Sequence, residues 1–405
     1  MGPTLVAFPG LEVRRSRGSV KLHNPVLGLE IEASGDLLAL LECFERPRAL
    51  SSFLQEYDVD PAVLEMLRRT LVLVDVQELP FLRAGFVEPA RDPIGLACPL
   101  NELGERAVSG AFAVFGLPID AGATGLAGAR AGPAEIRRHF PCRLHDDGEW
   151  VTALLDVSFR REVNTRGLRV LDLGDVLYSP GEDIAVAGQR VTKLLDQILE
   201  HDMVPVLLGG DHSVSWFVLQ TLLPRNERLS VVHLDAHHDL YPSRVPRLHH
   251  GNPFTYALER PSLVRLLQLG VRTLEVKPKR TRQILDRRIR WHSARELGRM
   301  TPAEALQSLP REVPCYLSFD VDCLDPGVAP ETGYWSPGGL SLDRALELVD
   351  HLARDHRVVG ADFVEVSQAQ GPRNAAAAAA ARVAAQLMLG SCPTKPLRSY
   401  YRRYR

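Results

Sequence analysis

The feature of this sequence that most constrains its fold is a series of short, continuous apolar runs beyond residue 110. Segments of helical character, such as 182–201 and 342–355, separate several of these runs. Strands that are apolar on both faces and alternate with helices are typical of a parallel sheet that helices cover on both sides. The sequence therefore predicts an α/β protein with a three-layer α/β/α architecture. The runs occupy residues 111–118, 168–176, 203–210, 229–237, 264–271, 314–322 and 356–366.

The N-terminal part of the chain has a different pattern, in which three helical patterns precede one strand-like run. Ser34 is placed to cap the first helix, and Asp60 followed by Pro61 marks the start of the third. These features predict a small α+β domain of winged-helix-like type, followed by a proline-rich linker. The predicted parts are a winged-helix-like domain at 1–90, a linker at 91–105, a catalytic domain at 106–395 and a basic tail at 396–405.

Composition narrows the classes of function. Lys and Arg number 48 against 50 Asp and Glu, for a formal charge of −2, so nothing global favours nucleic acid or a membrane surface as a partner. The apolar runs are far shorter than the roughly 20 residues that cross a bilayer. The 6 cysteines form no C-x-x-C pair, which argues against a disulfide framework and a cysteine zinc site. With an N-terminus unlike a signal peptide, this predicts a cytoplasmic location.

Polar side chains follow four of the predicted strands, where the carboxyl ends of a parallel sheet form ligand sites. Several carboxylates cannot share a small pocket as bare anions, because like charges raise each other's pKa. Carboxylates mixed with imidazoles suit Mn²⁺, and also Fe, Co or Zn, and this many carboxylates suit two bridged ions. Asp235, His237 and Asp239 alternate with Ala236 and His238. This alternation predicts a locally extended backbone that directs the three ligand side chains to the same side. The candidate residues are His212, Asp235, His237, Asp239, Asp320, Asp322 and Glu365.

Several motifs in order resemble the ureohydrolase family of arginases and agmatinases. They are GGDHS at 209–213, DAHHD at 235–239, HG at 250–251 and SFDVDCLDP at 318–326. The upstream segment 115–137, FGLPIDAGATGLAGARAGPAEIR, is similar to the opening of that family. The resemblance spans about residues 110–390. It implies a hydrolase acting on C–N bonds of linear amidines, which cleaves a guanidinium group to urea and a primary amine.

The resemblance also implies a role for each motif residue, with two Mn²⁺ per chain and a homo-oligomer, either a trimer or a hexamer. Asp239 would orient the attacking hydroxide, His250 would protonate the leaving amine, and Glu365 would pair with the guanidinium nitrogens. His233 is expected to pack beside the ligands. One ion would be held by His212, Asp235, Asp239 and Asp320, and the other by Asp235, His237, Asp320 and Asp322.

The residues around these motifs bear on the substrate. Arginases hold the α-carboxylate of their substrate with an asparagine where this chain has Tyr241, so the resemblance is closer to agmatinases and does not favour free arginine. Glu275 and Trp335 are further predicted substrate contacts, with Tyr334 on the pocket rim. Arg244 and Arg247 are candidate contacts for an anionic or extended substrate, against the alternative of a solvated loop.

The N-terminal part resembles small winged-helix modules that bind leader peptides in peptide-modifying enzymes. A leader peptide would then be a partner, and the substrate would be an arginine within a peptide that is converted to ornithine. The alternative is a module that packs on the enzyme and stabilises an oligomer. There are three further hypotheses. The first is a non-catalytic binding protein with this fold, which the filled metal-ligand positions disfavour. The others are an arginase for free arginine, which Tyr241 disfavours, and a related-fold deacetylase with one Zn²⁺, against which the GGDH and D-x-D motifs argue.

Overall fold

The structure is a computed structural model. It describes the whole chain except residues 1–3, 9–10, 17–18, 25–28, 71, 77–85, 89, 147, 179–181, 242–247, 275–284, 370 and 398–405. The predicted contacts Glu275, Arg244 and Arg247 lie outside the described residues, as does most of the predicted basic tail. Among the described residues, no helix is both long and apolar enough to cross a membrane.

Strands and helices alternate along the described chain. The strands β1 to β21 are Thr4–Ala7, Glu12–Ser16, Ser19–Asn24, Leu29–Glu32, Arg48–Ala49, Leu73–Asp75, Val87–Glu88, Leu96–Ala97, Phe112–Gly116, His145–Asp146, Glu149–Trp150, Ala153–Asp156, Arg161–Asn164, Val170–Val176, Val204–Leu208, Leu229–Leu234, Leu263–Val271, Ile289–Ser293, Cys315–Asp320, Val358–Val364 and Thr394–Pro396. The helices α1 to α12 are Gly35–Glu42, Leu50–Glu56, Pro61–Arg69, Leu103–Arg106, Gly132–Arg138, Ile184–Glu200, Val214–Arg225, Pro253–Leu258, Ala294–Leu297, Pro302–Leu306, Leu342–Asp355 and Ala375–Gly390.

A 10-stranded sheet forms the centre of the molecule, in the order β18-β17-β16-β19-β20-β15-β9-β14-β7, with β8 also paired to β14. Among the described residues, every strand pairing within this sheet is parallel except that of β7 with β14. The apolar runs of the sequence become its buried strands. The prediction of a parallel sheet is confirmed.

Apolar side chains on the two faces of this sheet enter two separate cores. Along β9, Phe112 and Val114 belong to one core, and Ala113 and Phe115 belong to the other. Helices α5, α11 and α12 contribute to the first core, and α6 and α7 contribute to the second. Burial on both faces explains why these strands are continuous apolar runs in the sequence. The predicted three-layer α/β/α fold is confirmed.

Residues 91–105, predicted as a linker, belong to the edge of this sheet. Strand β8 pairs with β14 at Leu171 and Asp172. The preceding strand, β7, pairs with the end of β14, at Asp175 and Val176. Cys98, Leu100 and Leu103 are buried in the second core. Pro93 and Pro99 lie on either side of this two-residue strand, so the proline content of the segment does not prevent strand pairing. Strand β21 likewise continues one residue past the predicted boundary at 395, where Pro396 pairs with Arg161 of β13.

The N-terminal region has its own apolar core, which includes Leu5, Phe44, Phe53 and Leu67. The three predicted helices are present as α1 to α3. Ser34 accepts from the Leu37 N–H at 3.2 Å, and Asp60 accepts from the Ala62 N–H at 2.8 Å, so both predicted caps are observed. Strands β2, β3 and β4 form an antiparallel sheet that we did not predict. The boundaries of this domain and its likeness to leader-peptide-binding modules stay predictions.

The packing of 91–105 generates a prediction about stability. We expect Leu103→Ala to lower the free energy of unfolding by about 2–5 kcal/mol, because it removes a buried side chain from the second core. Val108→Ala is the control, since Val108 is 49% exposed; its effect should stay within about 0.5 kcal/mol. Denaturant titration of the full chain measures both. Equal, small effects would show that this segment behaves as a free linker.

Candidate metal centre

Four neighbouring strands in the middle of the sheet, β16, β19, β20 and β15, bring the candidate residues together. Because these strands are parallel, their carboxyl ends lie at one edge. Asp235 follows β16, Asp320 ends β19, Glu365 follows β20, and His212 lies four residues beyond β15. All four side chains are at most 5% exposed. The predicted convergence at the strand ends is therefore present.

The first part of the cluster surrounds one nitrogen of His212. Its Nδ1 lies 3.2 Å from Asp235 Oδ2, 3.0 Å from Asp239 Oδ2 and 3.1 Å from Asp320 Oδ2. This nitrogen is buried, yet its orientation makes no hydrogen bond to any of the three oxygens. A buried polar atom without a hydrogen bond needs another partner. Several ligand atoms directed at one small volume are what a metal ion requires.

The tautomer of His212 follows from its second nitrogen. Tyr316 donates its hydroxyl to Asp362 at 2.6 Å, and Ser318 donates to the same carboxylate at 2.7 Å. The oxygen of Ser318 is therefore left to accept from His212 Nε2 at 2.9 Å. With its proton on Nε2, the imidazole presents a bare Nδ1 to the three carboxylates. A hydrogen bond that fixes the other nitrogen is typical of metal-binding histidines.

The second part of the cluster surrounds His237. Its Nδ1 lies 3.2 Å from Asp235 Oδ1 and 3.1 Å from Asp322 Oδ2. The two oxygens of Asp235 thus face two different histidines, with Oδ2 toward His212 and Oδ1 toward His237. Ligand atoms of Asp235, His237 and Asp322 lie close enough together to hold an ion, separately from a group that contains His212, Asp235 and Asp239.

The backbone between Asp235 and Asp239 is not extended, so that prediction was wrong. The chain bends at Ala236 and His237, where the His237 N–H donates to Asp235 Oδ1 at 2.5 Å. Asp239 then has a φ of 50°, in the left-handed region that residues other than glycine rarely adopt. Glu365 shows the same feature with a φ of 63°. Such strained backbone persists where the surrounding structure holds it, and it is frequent at functional sites.

The charges at this site favour a cation. Burial, together with the charges of Asp322 and Asp235, raises the pKa of Asp320 well above its usual value. Burial opposes a charge on His212, but its contacts with Asp235, Asp239 and Asp320 raise its pKa. Both pKa values are raised because the buried volume contains an excess of negative charge. Carboxylate oxygens and imidazole nitrogens are ligands for divalent metals, so these residues fit a metal centre.

Four polar side chains form a row across the sheet that is linked to this cluster by hydrogen bonds. The residues lie in register on four adjacent strands, β17, β16, β19 and β20, and all are fully buried. Two of them, Ser318 and Asp362, fix His212 as described above. Sequence analysis missed three members, because each is a single polar residue within an apolar run and only the register of the strands brings them together. The polar row is Gln268, His233, Ser318 and Asp362.

The other half of the polar row fixes Asp235. Gln268 Nε2 donates to the carbonyl of His238 at 2.7 Å, and this contact sets the orientation of the amide. The same nitrogen lies 3.0 Å from His233 Nδ1, which must therefore accept. His233 consequently carries its proton on Nε2 and donates it to Asp235 Oδ2 at 2.7 Å. His233 is thus a hydrogen-bond partner of a cluster carboxylate, in agreement with the expectation that it packs beside the ligands.

A cavity of about 410 Å³ opens onto the cluster. Four residues predicted for catalysis or substrate contact line it, namely Asp239, His250, Glu365 and Tyr241. Trp335 is not among the lining residues; it is 67% exposed, and its Nε1 donates to the Pro330 carbonyl at 2.6 Å. The lining consists of Thr124, His237, Asp239, Tyr241, His249, His250, Gly251, Asp320, Asp322, Tyr334 and Glu365.

His250 and Glu365 contact each other inside this cavity. Glu365 Oε1 lies 3.2 Å from His250 Nδ1 and also accepts from the His212 N–H at 2.9 Å. The other ring nitrogen of His250 lies 2.7 Å from the hydroxyl oxygen of Thr124. Sequence analysis did not assign a role to Thr124, although it lies in the upstream segment that resembles the ureohydrolases. The loop around Thr124 therefore positions His250 from the side opposite to Glu365.

Comparison with known proteins identifies the family. The Arginase family profile matches residues 110–390. An agmatinase from Edwardsiella ictaluri is 31% identical over 282 residues, which cover 68% of this chain and 86% of that protein. A mitochondrial agmatinase from Gallus gallus is 29% identical over 285 residues, covering 68% of this chain and 79% of its own length.

Solved structures agree with the sequence comparison. The proclavaminate amidino hydrolase from Streptomyces clavuligerus is 26% identical, with a TM-score of 0.62 over 74% of this chain and 97% of its own. A hypothetical agmatinase from Burkholderia thailandensis is 29% identical, with a TM-score of 0.57 over 69% of this chain and 85% of its own. The chain belongs to the arginase family. The predicted family, fold and enzyme class, a hydrolase acting on C–N bonds of linear amidines, are thereby confirmed.

The polar row generates a prediction about metal binding. We expect Gln268→Leu to weaken Mn²⁺ binding by roughly 10–100-fold, because His233 loses the donor that fixes the proton directed at Asp235. Calorimetric titration of metal-free protein with Mn²⁺ measures this affinity.

Gln386→Leu is the matched control. Gln386 is also fully buried and donates to Asp350 at 2.7 Å, but it lies on helix α12 outside the polar row. Both variants should lose thermal stability, and only Gln268→Leu should lose metal affinity. The same affinity in both variants would rule out a role for the polar row in the metal centre.

Proposed function

We propose that this chain is a dinuclear manganese hydrolase that cleaves a terminal guanidinium group to urea and a primary amine. The observation that carries the proposal is the position of Asp235, whose two oxygens face two different histidines. A carboxylate in that position suits a bridge between two ions. Asp320 would be the second bridge. The remaining ligands would be His212 and Asp239 at one ion, and His237 and Asp322 at the other.

Two Mn²⁺ ions, when bound, would lower the pKa of a water molecule that they share and so supply hydroxide near neutral pH. Asp239 lines the cavity beside the cluster and would orient this nucleophile by a hydrogen bond. Glu365 is a buried carboxylate at the same cavity and would bind the guanidinium cation through charge-assisted hydrogen bonds.

His250 is suited to deliver the proton to the leaving amine. Burial opposes its charge, but the hydrogen bond with Glu365 and the charge of that carboxylate raise its pKa above the usual value. A raised pKa increases the protonated fraction near neutral pH, as a general acid requires. Thr124, 2.7 Å from Nε2, would hold the ring in place while Glu365 contacts Nδ1.

The cavity favours a guanidine without a free α-carboxylate. No lysine or arginine is among the described residues that line it, and Tyr241 occupies the position at which arginases have an asparagine. We therefore propose an agmatine-like guanidine, or an arginine within a peptide that yields ornithine, as the substrate. A leader peptide at the N-terminal region belongs to the second alternative. The predicted cytoplasmic location and the homo-oligomer stay predictions.

The proposed bridging role of Asp320 leads to a prediction about the number of metal ions bound per chain. We expect Asp320→Asn to hold fewer than two Mn²⁺ per chain, because an amide is a poor substitute for a bridging carboxylate. Asp343→Asn removes a charge from an exposed helix position and should hold two. Elemental analysis after gel filtration measures both. Two ions and unchanged urea release in Asp320→Asn would contradict the bridge.

A panel of substrates tests the reaction. We expect Mn²⁺-loaded protein to release urea from agmatine, guanidinobutyrate or an arginine-containing peptide, with kcat/KM at least about tenfold above that for free arginine. A tenfold difference corresponds to about 1.4 kcal/mol, the scale of one unpaired carboxylate contact. Urea assays on the four compounds measure it. No urea from any of them would favour the non-catalytic binding protein, and a preference for arginine would favour an arginase.

A further inference from the structure

Three large apolar side chains lie exposed on two segments that meet at the mouth of the cavity. Leu126 is 75% exposed, Tyr334 is 39% exposed and Trp335 is 67% exposed. The segments touch, since the hydroxyls of Thr124 and Tyr334 lie 3.1 Å apart. A Cβ on Gly125 would meet the Tyr334 ring at 2.5 Å. We call Leu126, Tyr334 and Trp335 the apolar rim.

The apolar rim is continuous with the cavity in which catalysis is proposed. Tyr334 lines that cavity, and its ring centroid lies 5.5 Å from that of His250 and 6.0 Å from that of His237. Trp335 is held by its hydrogen bond to the Pro330 carbonyl, so its ring stays outside instead of folding into the cavity. A ligand that extends out of the cavity past Tyr334 would therefore meet fixed aromatic surface.

The chemistry of the apolar rim indicates what it contacts. The segments 124–126 and 333–335, TGL and GYW, contain no charged residue. Exposed apolar patches beside a site commonly bind part of a ligand, and tryptophan and tyrosine are favoured at binding surfaces. Agmatine is short and ends in a charged amine, so it has no apolar group for this surface. A peptide carries further side chains on both sides of its arginine.

We propose that the apolar rim is a subsite for an apolar side chain within two residues of the arginine in a peptide substrate. The inference rests on the proposed function and selects the peptide alternative within it. Side chains in an extended peptide are spaced by roughly 3.3 Å per residue. The Tyr334 ring centroid lies only 6.0 Å from that of His237, so a neighbour of the arginine would come close to the apolar rim when the guanidinium lies at the metal centre.

Two peptides that differ in one residue test the proposal. Both have the same length and one arginine, and they carry either phenylalanine or glycine beside it. We expect kcat/KM for urea release to be about tenfold higher for the phenylalanine peptide, since burial of an aromatic side chain contributes at least that much. In Leu126→Ala and Trp335→Ala the ratio of the two values should fall toward one.

Leu155→Ala is the matched control, because Leu155 is 58% exposed on strand β12, outside the cavity lining. It should keep the wild-type ratio. A wild-type ratio near one, or a ratio that persists in both rim variants, would overturn the subsite. Turnover of agmatine with neither peptide hydrolysed would also overturn it, while leaving the proposed function in place. No urea from any guanidine would instead overturn the proposed function, and the subsite with it.

Discussion

The convergence of four buried aspartates, the buried His212 and the partly exposed His237 in one small volume is the constraint on which the rest of the catalytic structure depends. Bare carboxylates at this spacing repel one another, and burial together with the charges of Asp322 and Asp235 raises the pKa of Asp320. A parallel sheet brings four separate strand ends to one edge while both faces of its strands stay buried. The metal cluster therefore depends on both the order of the strands and their continuous apolar sequences.

The polar row shows how the sheet itself prepares the site. Gln268, His233, Ser318 and Asp362 lie side by side on four strands, so the strand register, rather than any loop, sets the distances among them. Ser318 fixes the proton of His212, and Gln268 fixes that of His233. Both chains of hydrogen bonds end at the cluster. The imidazoles are thus oriented before a metal binds, which lowers the cost of ordering them on binding.

Sequence analysis predicted the parts of this structure that depend on local pattern. Apolar runs followed by polar residues predicted the sheet and the convergence of His212, Asp235, Asp320 and Glu365. The predictions were wrong where side-chain hydrogen bonds or contacts between distant residues determine the local structure. The bend after Asp235 arises from a side-chain hydrogen bond that competes with extended backbone. The proline-rich segment 91–105 has the local pattern of a linker, because its partner strand β14 lies far along the chain. The polar row needed the strand register, which no single segment contains.

The N-terminal region contacts the catalytic sheet at the end of one strand. Leu177 directly follows the carboxyl end of β14 and packs against Val6, Phe8 and Val74 of the N-terminal region. That contact lies at the edge of the sheet that also holds the metal cluster. Strand β14 is separated from β15, which precedes His212, only by β9. Two strand spacings amount to about 10 Å, which is the lateral distance from β14 to β15. The leader peptide proposed above would, if held near Leu177, approach the cavity from the edge of the sheet at which the metal cluster lies.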